Sequence, residues 1–444
     1  MTSGFIVALV IILLFVLLFF DIPIAFALLA SGLVGIVLLK DWDVAAGALA
    51  NIPFQSTAKY TLIVIPLFLF MGLLAQHGRI AEDVFNFAHR FLRKLPGSLG
   101  IATVAACAGF AAVSGSSVAT AATVGKLTIG EMRKHGYNAT FATGIVGAAG
   151  TLGILIPPSL VLIIYGTITN ESIGKLLLAG IIPGLLTAAI FMIAIVIIAR
   201  FRPSMVEVPQ GSSLQTLSTS QFKSQSYWGV LKIAILFVIV MGGIYSGIFT
   251  ATESAAIGAL VALIMLILQY RKHRKVLSEK LVDSLLETAK TTCMVFAILV
   301  GASLLTYFFT VSLVPTRFAE WVTGLGVSPV ITVALLLVIF IPLGMFLDGM
   351  SILLITIPLV YPVVTHLGFD GIWFGILAVK MIELGLITPP LGVNAFVVAG
   401  SAKDVSIVRI FKGLGLFMVL DLIVISLLFM FPELTTWLPN LADK

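Results

Sequence analysis

Gly153-Ile154-Leu155-Ile156-Pro157-Pro158-Ser159 interrupts an apolar run that is otherwise typical of a membrane helix. Two consecutive prolines remove two backbone donors, and the glycine before them loosens the turn. A second copy, Gly385-Leu386-Ile387-Thr388-Pro389-Pro390-Leu391, places its glycine and its prolines 232 residues after those of the first. Broken backbone at membrane depth is tolerated only inside protein or beside a watery cavity, so the pair predicts two interrupted helices around a transport site.

The composition is that of a helical protein that crosses a membrane many times. Of 444 residues, 60% are hydrophobic and 10% are charged, and the long apolar runs lack the alternation of barrel strands. The first run, 4–20, has no basic region before it and a second run follows, so it is interpreted as a span rather than a signal peptide. Cys107 and Cys293 lie in apolar segments and are interpreted as packing residues.

A short polar sequence precedes each break. The first, Ser114-Gly115-Ser116-Ser117, joins two apolar arms that are each too short to span, which predicts a re-entrant hairpin with these residues at its tip. The second, Leu347-Asp348-Gly349-Met350-Ser351, is predicted to be the tip of a second hairpin, and Ser116 maps onto Asp348 at the offset of 232. A hairpin and a broken helix are therefore expected once in each half of the chain.

The basic residues predict how the chain is oriented. With the N-terminus outside, the inner loops hold most of the Lys and Arg residues: 77–96, 125–137, 200–227, 271–288 and 402–412. The net charge of +6 is then a loop bias and not a sign of nucleic-acid binding. In this orientation the two hairpins enter from opposite sides, and both termini lie outside. The predicted fold class is an all-α polytopic membrane protein built from inverted repeats.

Two further boundaries follow from the hydrophobic pattern. A short amphipathic segment, 276–288, is predicted to lead into a separate span at 289–309, and the last span is predicted over about 408–431.

The predicted tips and breaks present oxygen atoms and the ends of half-helices. N-terminal ends carry partial positive charge and free N–H groups, which suit an anion, whereas unwound carbonyl groups suit a hard cation. Oxygen donors without a His or Cys cluster favour Na⁺ over a transition metal. The side-chain oxygens come from Ser114, Ser116 and Ser117 in the first half and from Asp348, Ser351 and Thr388 in the second.

Three acidic residues lie in apolar runs. Asp348 is a candidate to neutralise a bound cation, and it is also placed to cap the helix that follows; both roles are compatible. Glu383 is expected to pair with Lys380 three residues before it, while a substrate role for Lys380 stays open. Asp421 lies in the middle of the last span, and its partner is not predictable from the sequence.

The sequence shows no arrangement of residues that is typical of a catalytic site. Glu253 is interpreted as a first-turn residue of a helix capped by Thr252. No nucleophile–base pair, no pair of carboxylates and no metal-ligand spacing rises above chance, so an enzyme is not expected.

Four stretches occur in the order that is typical of one family. They are Val113–Thr120, Gly153–Ser159, Gly247–Ala256 and Glu383–Pro390. Together they resemble the large membrane subunit of TRAP (tripartite ATP-independent periplasmic) transporters over nearly the whole chain. Two departures are visible: the family's Thr-Pro-Thr-Glu-Ala reads Thr250-Ala-Thr-Glu-Ser254, and its Asn-Met-Glu-Ile-Gly reads Met381-Ile-Glu-Leu-Gly385.

The resemblance implies a mechanism and partners. It implies Na⁺-driven import of a small carboxylate or acidic sugar across the bacterial inner membrane, by an elevator motion of a transport domain against a scaffold. It also implies a small four-helix membrane subunit and a periplasmic substrate-binding protein. Because the chain ends at 444 without extra N-terminal helices, the small subunit is expected on a separate chain. No organic cofactor is expected.

The resemblance also implies site residues in this numbering. One Na⁺ site falls at Ser114, Ser116, Gly153, Ile156 and Pro158. A second Na⁺ site falls at Asp348, Ser351, Gly385 and Thr388. The candidate substrate contacts are Ser117, Gly349, Pro389 and Lys380.

The expected domain division alternates along the chain. N-terminal scaffold spans and an interfacial arm cover 1–96, and the first half of the transport domain covers 97–175. Scaffold spans and arms cover 176–326, the second half of the transport domain covers 327–403, and the C-terminal span covers 404–444.

Two alternatives remain open from the sequence. A stand-alone symporter of divalent anions and Na⁺ shares the plan of inverted hairpins and differs in needing no binding protein. An ion channel is less favoured, because breaks on re-entrant hairpins suit occlusion of a substrate better than a continuous pore.

Overall fold

The computed structural model describes residues 3–206, 225–324 and 326–442, and within these ranges it contains helices and no strand. Seven helices of the described part are long and apolar enough to cross a membrane, by length and composition. The predicted all-α membrane fold is therefore confirmed. Most of the loop expected at 200–227 lies outside the described residues.

The first half of the chain begins with paired apolar helices and continues through the first hairpin and the first broken helix. Its helices are α1 (Ser3–Phe19), α2 (Ile24–Leu39), α3 (Trp42–Thr57), α4 (Val64–His77), α5 (Ile80–Leu92), α6 (Ser98–Ser114), α7 (Ser117–Lys134), α8 (Ala139–Gly150), α9 (Leu160–Thr169) and α10 (Ile173–Phe201). Short 3-10 helices lie at Tyr60–Ile63, Thr151–Ile154 and Pro203–Met205.

The second half repeats this order. Its helices are α11 (Gln225–Tyr245), α12 (Ala251–Tyr270), α13 (Arg274–Val311), α14 (Val314–Gly324), α15 (Pro329–Val338), α16 (Phe340–Phe346), α17 (Gly349–His366), α18 (Gly371–Ile387), α19 (Val393–Ser401), α20 (Ile407–Met430) and α21 (Glu433–Leu441). The short helix α21 follows the last predicted span and was not expected.

The offset of 232 residues relates the bounds of several helices as well as the two breaks. Shifting α7 by 232 gives residues 349 and 366, the same two residues that bound α17. Shifting α9 gives 392–401, against Val393–Ser401 for α19, and shifting α5 gives 312–324, against Val314–Gly324 for α14. The order of elements is therefore repeated along most of the chain, while the opposite membrane orientation of the two copies stays a prediction.

The helix α13 corrects the expected boundary near residue 289. The amphipathic segment 276–288 and the span 289–309 are one continuous helix of 38 residues, Arg274–Val311. Residues 274–300 contain neither glycine nor proline, so nothing in the sequence ends the helix between its charged and apolar parts. At about 1.5 Å per residue α13 is ~57 Å long, well beyond a hydrocarbon core of ~30 Å, so its charged N-terminal part extends past the apolar layer.

Packing between helices brings the two halves together around the breaks. The arms α6 and α7 of the first hairpin pack on α8, and α16 of the second hairpin packs on α18. Helices of the two halves also pack on each other: α7 packs on α19, and α17 packs on α9. Since α7 corresponds to α17 and α9 to α19, these two contacts are equivalent under the repeat. Each hairpin therefore contacts the broken helix of both halves.

One predicted helix cap is wrong by two residues. Thr250, not Thr252, caps α12: its Oγ1 accepts from the Glu253 N–H at 3.3 Å, and the Glu253 carboxylate accepts from the Thr250 N–H at 2.8 Å. This reciprocal capping box needs a spacing of three residues between cap and acid, which Thr252 does not have. Glu253 lies in the first turn of the helix, as expected.

Candidate functional site: two hairpin tips on two broken helices

The first hairpin tip lies where the serines predicted it. The helix α6 ends at Ser114, Gly115 turns the chain in the left-handed region with φ of 62°, and Ser116 caps α7 by accepting from the Ala119 N–H at 3.3 Å. The hydroxyl of Thr120 lies 2.9 Å from that of Ser114 and donates to the Ser116 carbonyl at 2.7 Å. The tip is thus a compact group of hydroxyl and carbonyl oxygens.

The first break is a buried stretch of non-helical backbone. The helix α8 gives way to a 3-10 turn, and α9 begins after Ser159, whose Oγ accepts from the Leu162 N–H at 3.3 Å. The same hydroxyl donates to the Ile154 carbonyl at 2.5 Å, and the peptide between Pro157 and Pro158 is cis. Residues 151–159 are all buried, so this break faces protein on every side.

The first tip packs directly on the first break. A side chain on Gly153 would overlap the Ser116 carbonyl oxygen, and a Cβ on Gly115 would lie 2.6 Å from the Pro158 carbonyl oxygen. Ile156 turns its side chain toward Gly184 of α10. The structure therefore brings together Ser116, Gly153 and Pro158, three of the five residues expected at the first Na⁺ site, with Ser114 at the same tip.

The second tip is organised by Asp348. Its Oδ2 accepts from the Met350 N–H at 3.0 Å and from the Ser351 N–H at 3.3 Å, and its Oδ1 accepts from the Ser351 hydroxyl. The capping role expected for Asp348 is confirmed. Capping consumes only part of the acceptor capacity of a carboxylate, so the geometry is compatible with a further partner.

The second break differs from the first in exposure. Thr388 closes α18 by donating from its Oγ1 to the Leu384 carbonyl at 2.6 Å, and Pro389 follows in an exposed position. The peptide between Pro389 and Pro390 is cis, as in the first break. The N–H of Gly392 donates to the Met345 carbonyl at 3.2 Å, which joins the break to the second hairpin.

The second hairpin also sits closely on its broken helix. A Cβ on Gly385 would lie 2.7 Å from Cα of Gly344, so the two backbones touch through glycines. A Cβ on Gly349 would meet Ile382 at 3.2 Å and Ile154 at 3.9 Å. Gly349, an expected substrate contact, therefore lies between α18 and the first break.

A cavity of about 930 Å³ opens beside the second tip. Its walls come from the second hairpin, from the second break and from α1, α2 and α13. The lining includes Asp348, Leu347, Leu391, Asp21, Ile22 and Met294. The candidate carboxylate is thus accessible from the side of the first two helices, while the first tip and break are more enclosed.

Lys380, Glu383 and Asp421 form a buried charged cluster. The Lys380 Nζ donates to Glu383 Oε2 at 2.8 Å and to Asp421 Oδ1 at 2.7 Å, and all three side chains are 0% exposed. The expected pairing of Lys380 with Glu383 is confirmed, and Asp421 now has a partner. The substrate contact predicted for Lys380 gains no support, because its ammonium group is already bonded to two carboxylates.

Asn394 is a polar residue that the sequence reasoning missed. It lies in the first turn of α19, is 0% exposed, and neither Nδ2 nor Oδ1 has a hydrogen-bond partner among the described residues. The signal was present, because Asn394 is the one polar side chain between Leu391 and Gly400, just after the Pro-Pro pair.

Each hairpin is joined to the opposite half by a side-chain contact at the end away from its tip. Arg133, at the end of α7, holds Asp404 in two parallel hydrogen bonds of 2.9 and 2.6 Å, and this ion pair lowers the pKa of the exposed Asp404 carboxyl. The Tyr361 hydroxyl, on α17, donates to Glu171 at 2.7 Å. Both contacts join a hairpin arm to the loop after the other half's broken helix.

The sequence is similar to those of known membrane transport proteins. The family model described as "Tripartite ATP-independent periplasmic transporter, DctM component" matches residues 11–434. A C4-dicarboxylate TRAP transporter large permease protein of Pseudomonas aeruginosa is 41% identical over 344 residues, 78% of each chain. A sialic acid TRAP transporter large permease protein of Vibrio cholerae is 32% identical over 429 residues, 96% of each chain.

Among solved structures, the fold is similar to that of the YdaH transporter of Alcanivorax borkumensis. The TM-score is 0.63 at 15% sequence identity, over 89% of this chain and 90% of that one. This likeness concerns the fold alone. Because the family model covers almost the whole chain, the chain belongs to the DctM family, the large permease component of TRAP transporters.

Proposed function

We propose that this chain is the large permease of a Na⁺-driven importer, located in the bacterial inner membrane with both termini in the periplasm. It takes up a small organic anion delivered by a periplasmic binding protein. The observation that carries the proposal is the paired arrangement of two oxygen-rich hairpin tips, each seated through glycine on a broken helix.

The first Na⁺ site is assigned to the enclosed tip and break. Ser114 and Ser116 supply hydroxyl or carbonyl oxygens, and Gly153, Ile156 and Pro158 supply backbone carbonyls. In support, the carbonyls of Ser116 and Pro158 lie against Gly153 and Gly115. A set made only of neutral oxygens suits a hard monovalent cation.

The second Na⁺ site is assigned to Asp348, Ser351, Gly385 and Thr388. It adds a formal negative charge to otherwise similar oxygens, and the charge lies beside the cavity rather than in the protein interior. Because an ionised residue within a membrane protein is costly, its presence favours a site that takes a cation.

The substrate site is assigned to the space between the tips, with Ser117, Gly349 and Pro389 as contacts. Four half-helices, α7, α9, α17 and α19, begin at the tips or breaks. Their N-terminal ends present partial positive charge and first-turn N–H groups beyond those bonded to the capping residues, which suit a carboxylate.

The direction of transport follows from charge. An inside-negative potential supplies ~2.3 kcal/mol per charge per 100 mV. Carrying more Na⁺ charge than substrate charge therefore drives an anion inward against its gradient. The tips and breaks move as one body past the scaffold helices, in an elevator motion.

The relatives indicate the substrate class and the partners. Their names mention C4-dicarboxylate, sialic acid and isethionate, which are all small organic anions. The chain spans 58% of the isethionate relative named DctMQ, against 96% of the sialic acid large permease. We assign this chain a small membrane subunit and a periplasmic binding protein as partners.

Uptake by proteoliposomes that hold the permease and its small subunit tests the proposal. Saturable uptake of a radiolabelled anion is expected only with an inward Na⁺ gradient and the binding protein together, and a matched K⁺ gradient is the control. Full uptake without the binding protein would instead indicate a stand-alone symporter. Linear flux that ignores the Na⁺ gradient would indicate a channel.

A further inference from the structure

The amide of Asn394 is fully buried and has no hydrogen-bond partner among the described residues, on either its nitrogen or its oxygen. A buried polar group left unpaired destabilises the folded state, so its presence requires an explanation. The fold does not require a polar group at this point of the repeat. At the offset of 232 residues, the counterpart of Asn394 is Leu162 of α9, which is also fully buried.

The direction of the Asn394 side chain follows from the residues that share its face of α19. Val398, one turn further, lies 3.6 Å from where a Cβ on Gly147 of α8 would be. Ser401, two turns further, lies 3.5 Å from the Cβ position of Gly125 on α7. Residues spaced by four and seven share one face of a helix, so Asn394 points to the side on which α7 and α8 pack.

The helices α7 and α19 run in the same direction. Both lead away from a tip or a break, and at their far ends Arg133, in the last turn of α7, binds Asp404, three residues after the end of α19. Gly125 of α7 lies beside Ser401 of α19. Val118 lies seven residues before Gly125, and Asn394 lies seven residues before Ser401. Asn394 is therefore level with the first turn of α7. The amide is therefore beside the first hairpin tip, although it belongs to the second broken helix.

At that level the surroundings favour an anion. The first turns of α7, with 18 residues, and of α19, with nine, begin side by side and direct their partial positive charge to the same place. The amide nitrogen adds two further donors. We infer that Asn394 binds the transported anion, with its Nδ2 donating to a carboxylate or equivalent anionic group of the substrate.

This inference rests on the proposed function and adds a residue to its substrate site. Replacing Asn394 by leucine copies the residue found at the corresponding position of the other half. Asn394→Leu is expected to raise the unfolding temperature, because it removes two unpaired polar atoms. It is also expected to raise the KM for substrate at least tenfold. Asn394→Asp keeps the shape but repels an anion, and it is expected to abolish uptake.

The matched control is Ser254→Ala in α12. Ser254 is also fully buried with an unpaired hydroxyl, and it lies outside the tips and breaks. This variant is expected to raise the unfolding temperature and leave the KM unchanged, which separates stabilisation from loss of substrate binding.

The measurement is Na⁺-driven uptake by proteoliposomes with both partners present. The probe is whichever of succinate, sialic acid and isethionate the wild-type complex takes up. The thermal stabilisation of each variant by Na⁺ alone is measured in parallel. A higher KM with intact stabilisation by Na⁺ supports the inference.

Three results would overturn it. An unchanged KM in Asn394→Leu, with normal wild-type uptake, removes the substrate role and leaves the proposed function standing. Loss of stabilisation by Na⁺ with an unchanged KM makes Asn394 a cation ligand through Oδ1 instead. Absence of uptake of all three anions by the wild-type complex overturns the proposed function and this inference with it.

Discussion

Asp348 shows how one residue serves local structure and a proposed site together. Its carboxylate caps α17 through two N–H groups and accepts from the hydroxyl of Ser351, yet it still borders an open cavity. The cap was predictable from the sequence because capping depends on residues two and three positions away. The partner of Asp421 was not, since Lys380 lies 41 residues before it and meets it only through packing of α18 on α20.

At the residue scale, Asp83 on the amphipathic helix α5 provides a pH-dependent test. Burial raises the pKa of Asp83 to about 6, against the opposing effect of Lys232. The folded protein thus binds this proton more tightly than the unfolded chain. The resulting stabilisation is complete below about pH 4 and is lost as the pH rises through about 6.

Asp83→Asn is therefore expected to unfold at a higher temperature than wild type at pH 8 and at the same temperature near pH 4. The gain at pH 8 is on the order of 1 kcal/mol, because the half-exposed carboxyl is partly screened by solvent. Thermal unfolding in detergent across this pH range measures it, with Asp43→Asn, which removes an exposed carboxylate on α3, as the control. An equal difference at every pH would contradict the assignment to Asp83.

At the scale of elements, the contact between tip and break depends on glycine. Gly153→Ala would place a methyl group on the Ser116 carbonyl oxygen, so it is expected to destabilise the protein by about 1–3 kcal/mol and to abolish Na⁺-driven uptake. Gly130→Ala, in an open position on α7, is the control and is expected to stabilise by about 0.5–1 kcal/mol. Normal uptake by Gly153→Ala would show that this close contact is dispensable.

The charged cluster joins α18 to α20 and gives a second prediction at this scale. Lys380→Met leaves two buried carboxylates without their cation, and a loss of about 3–5 kcal/mol in stability is expected. Replacing all three residues, by Lys380→Met, Glu383→Leu and Asp421→Leu, is expected to recover most of that loss. Thermal unfolding compares the two variants, and a triple variant as unstable as the single one would contradict a purely electrostatic cause.

Element boundaries were predicted well where the sequence contains a breaker. Pro157, Pro158, Pro389 and Pro390 marked the breaks, and the small polar residues marked both tips. The boundary near residue 289 failed for the opposite reason, because a change from charged to apolar residues does not end a helix without glycine or proline. Asn394 was missed because its significance depends on burial and on the absence of partners, neither of which is visible in a single sequence.

At the scale of the whole molecule, the repeat explains why the halves interlock. Packing of α7 on α19 and of α17 on α9 places each hairpin against both broken helices. The halves nevertheless differ: residues 151–159 are buried, whereas Pro389, Pro390 and Leu391 are exposed near the cavity. This asymmetry predicts that the two proposed Na⁺ sites exchange ions with solvent at different rates.

The cavity separates the second hairpin from α1 and α2, and an elevator motion would change its width. In a Cys293→Ser background, a bifunctional thiol reagent joining Ile22→Cys to Leu347→Cys is expected to stop uptake. The control joins Glu171→Cys to Tyr361→Cys, whose native side chains already touch within the proposed transport domain, and it is expected to leave uptake nearly normal. Equal uptake by both cross-linked proteins would contradict movement between these bodies.

The central claim is that the two tips and breaks hold Na⁺, and binding of radioactive sodium to the purified protein tests it most directly. Wild type is expected to bind Na⁺ saturably at two or more sites. Ser114→Ala and Asp348→Asn are each expected to weaken a different site, since asparagine still caps α17 but lacks the charge. Asp43→Asn, an exposed carboxylate on α3, is the control. Sodium binding that is unchanged in both site variants would contradict the assignment.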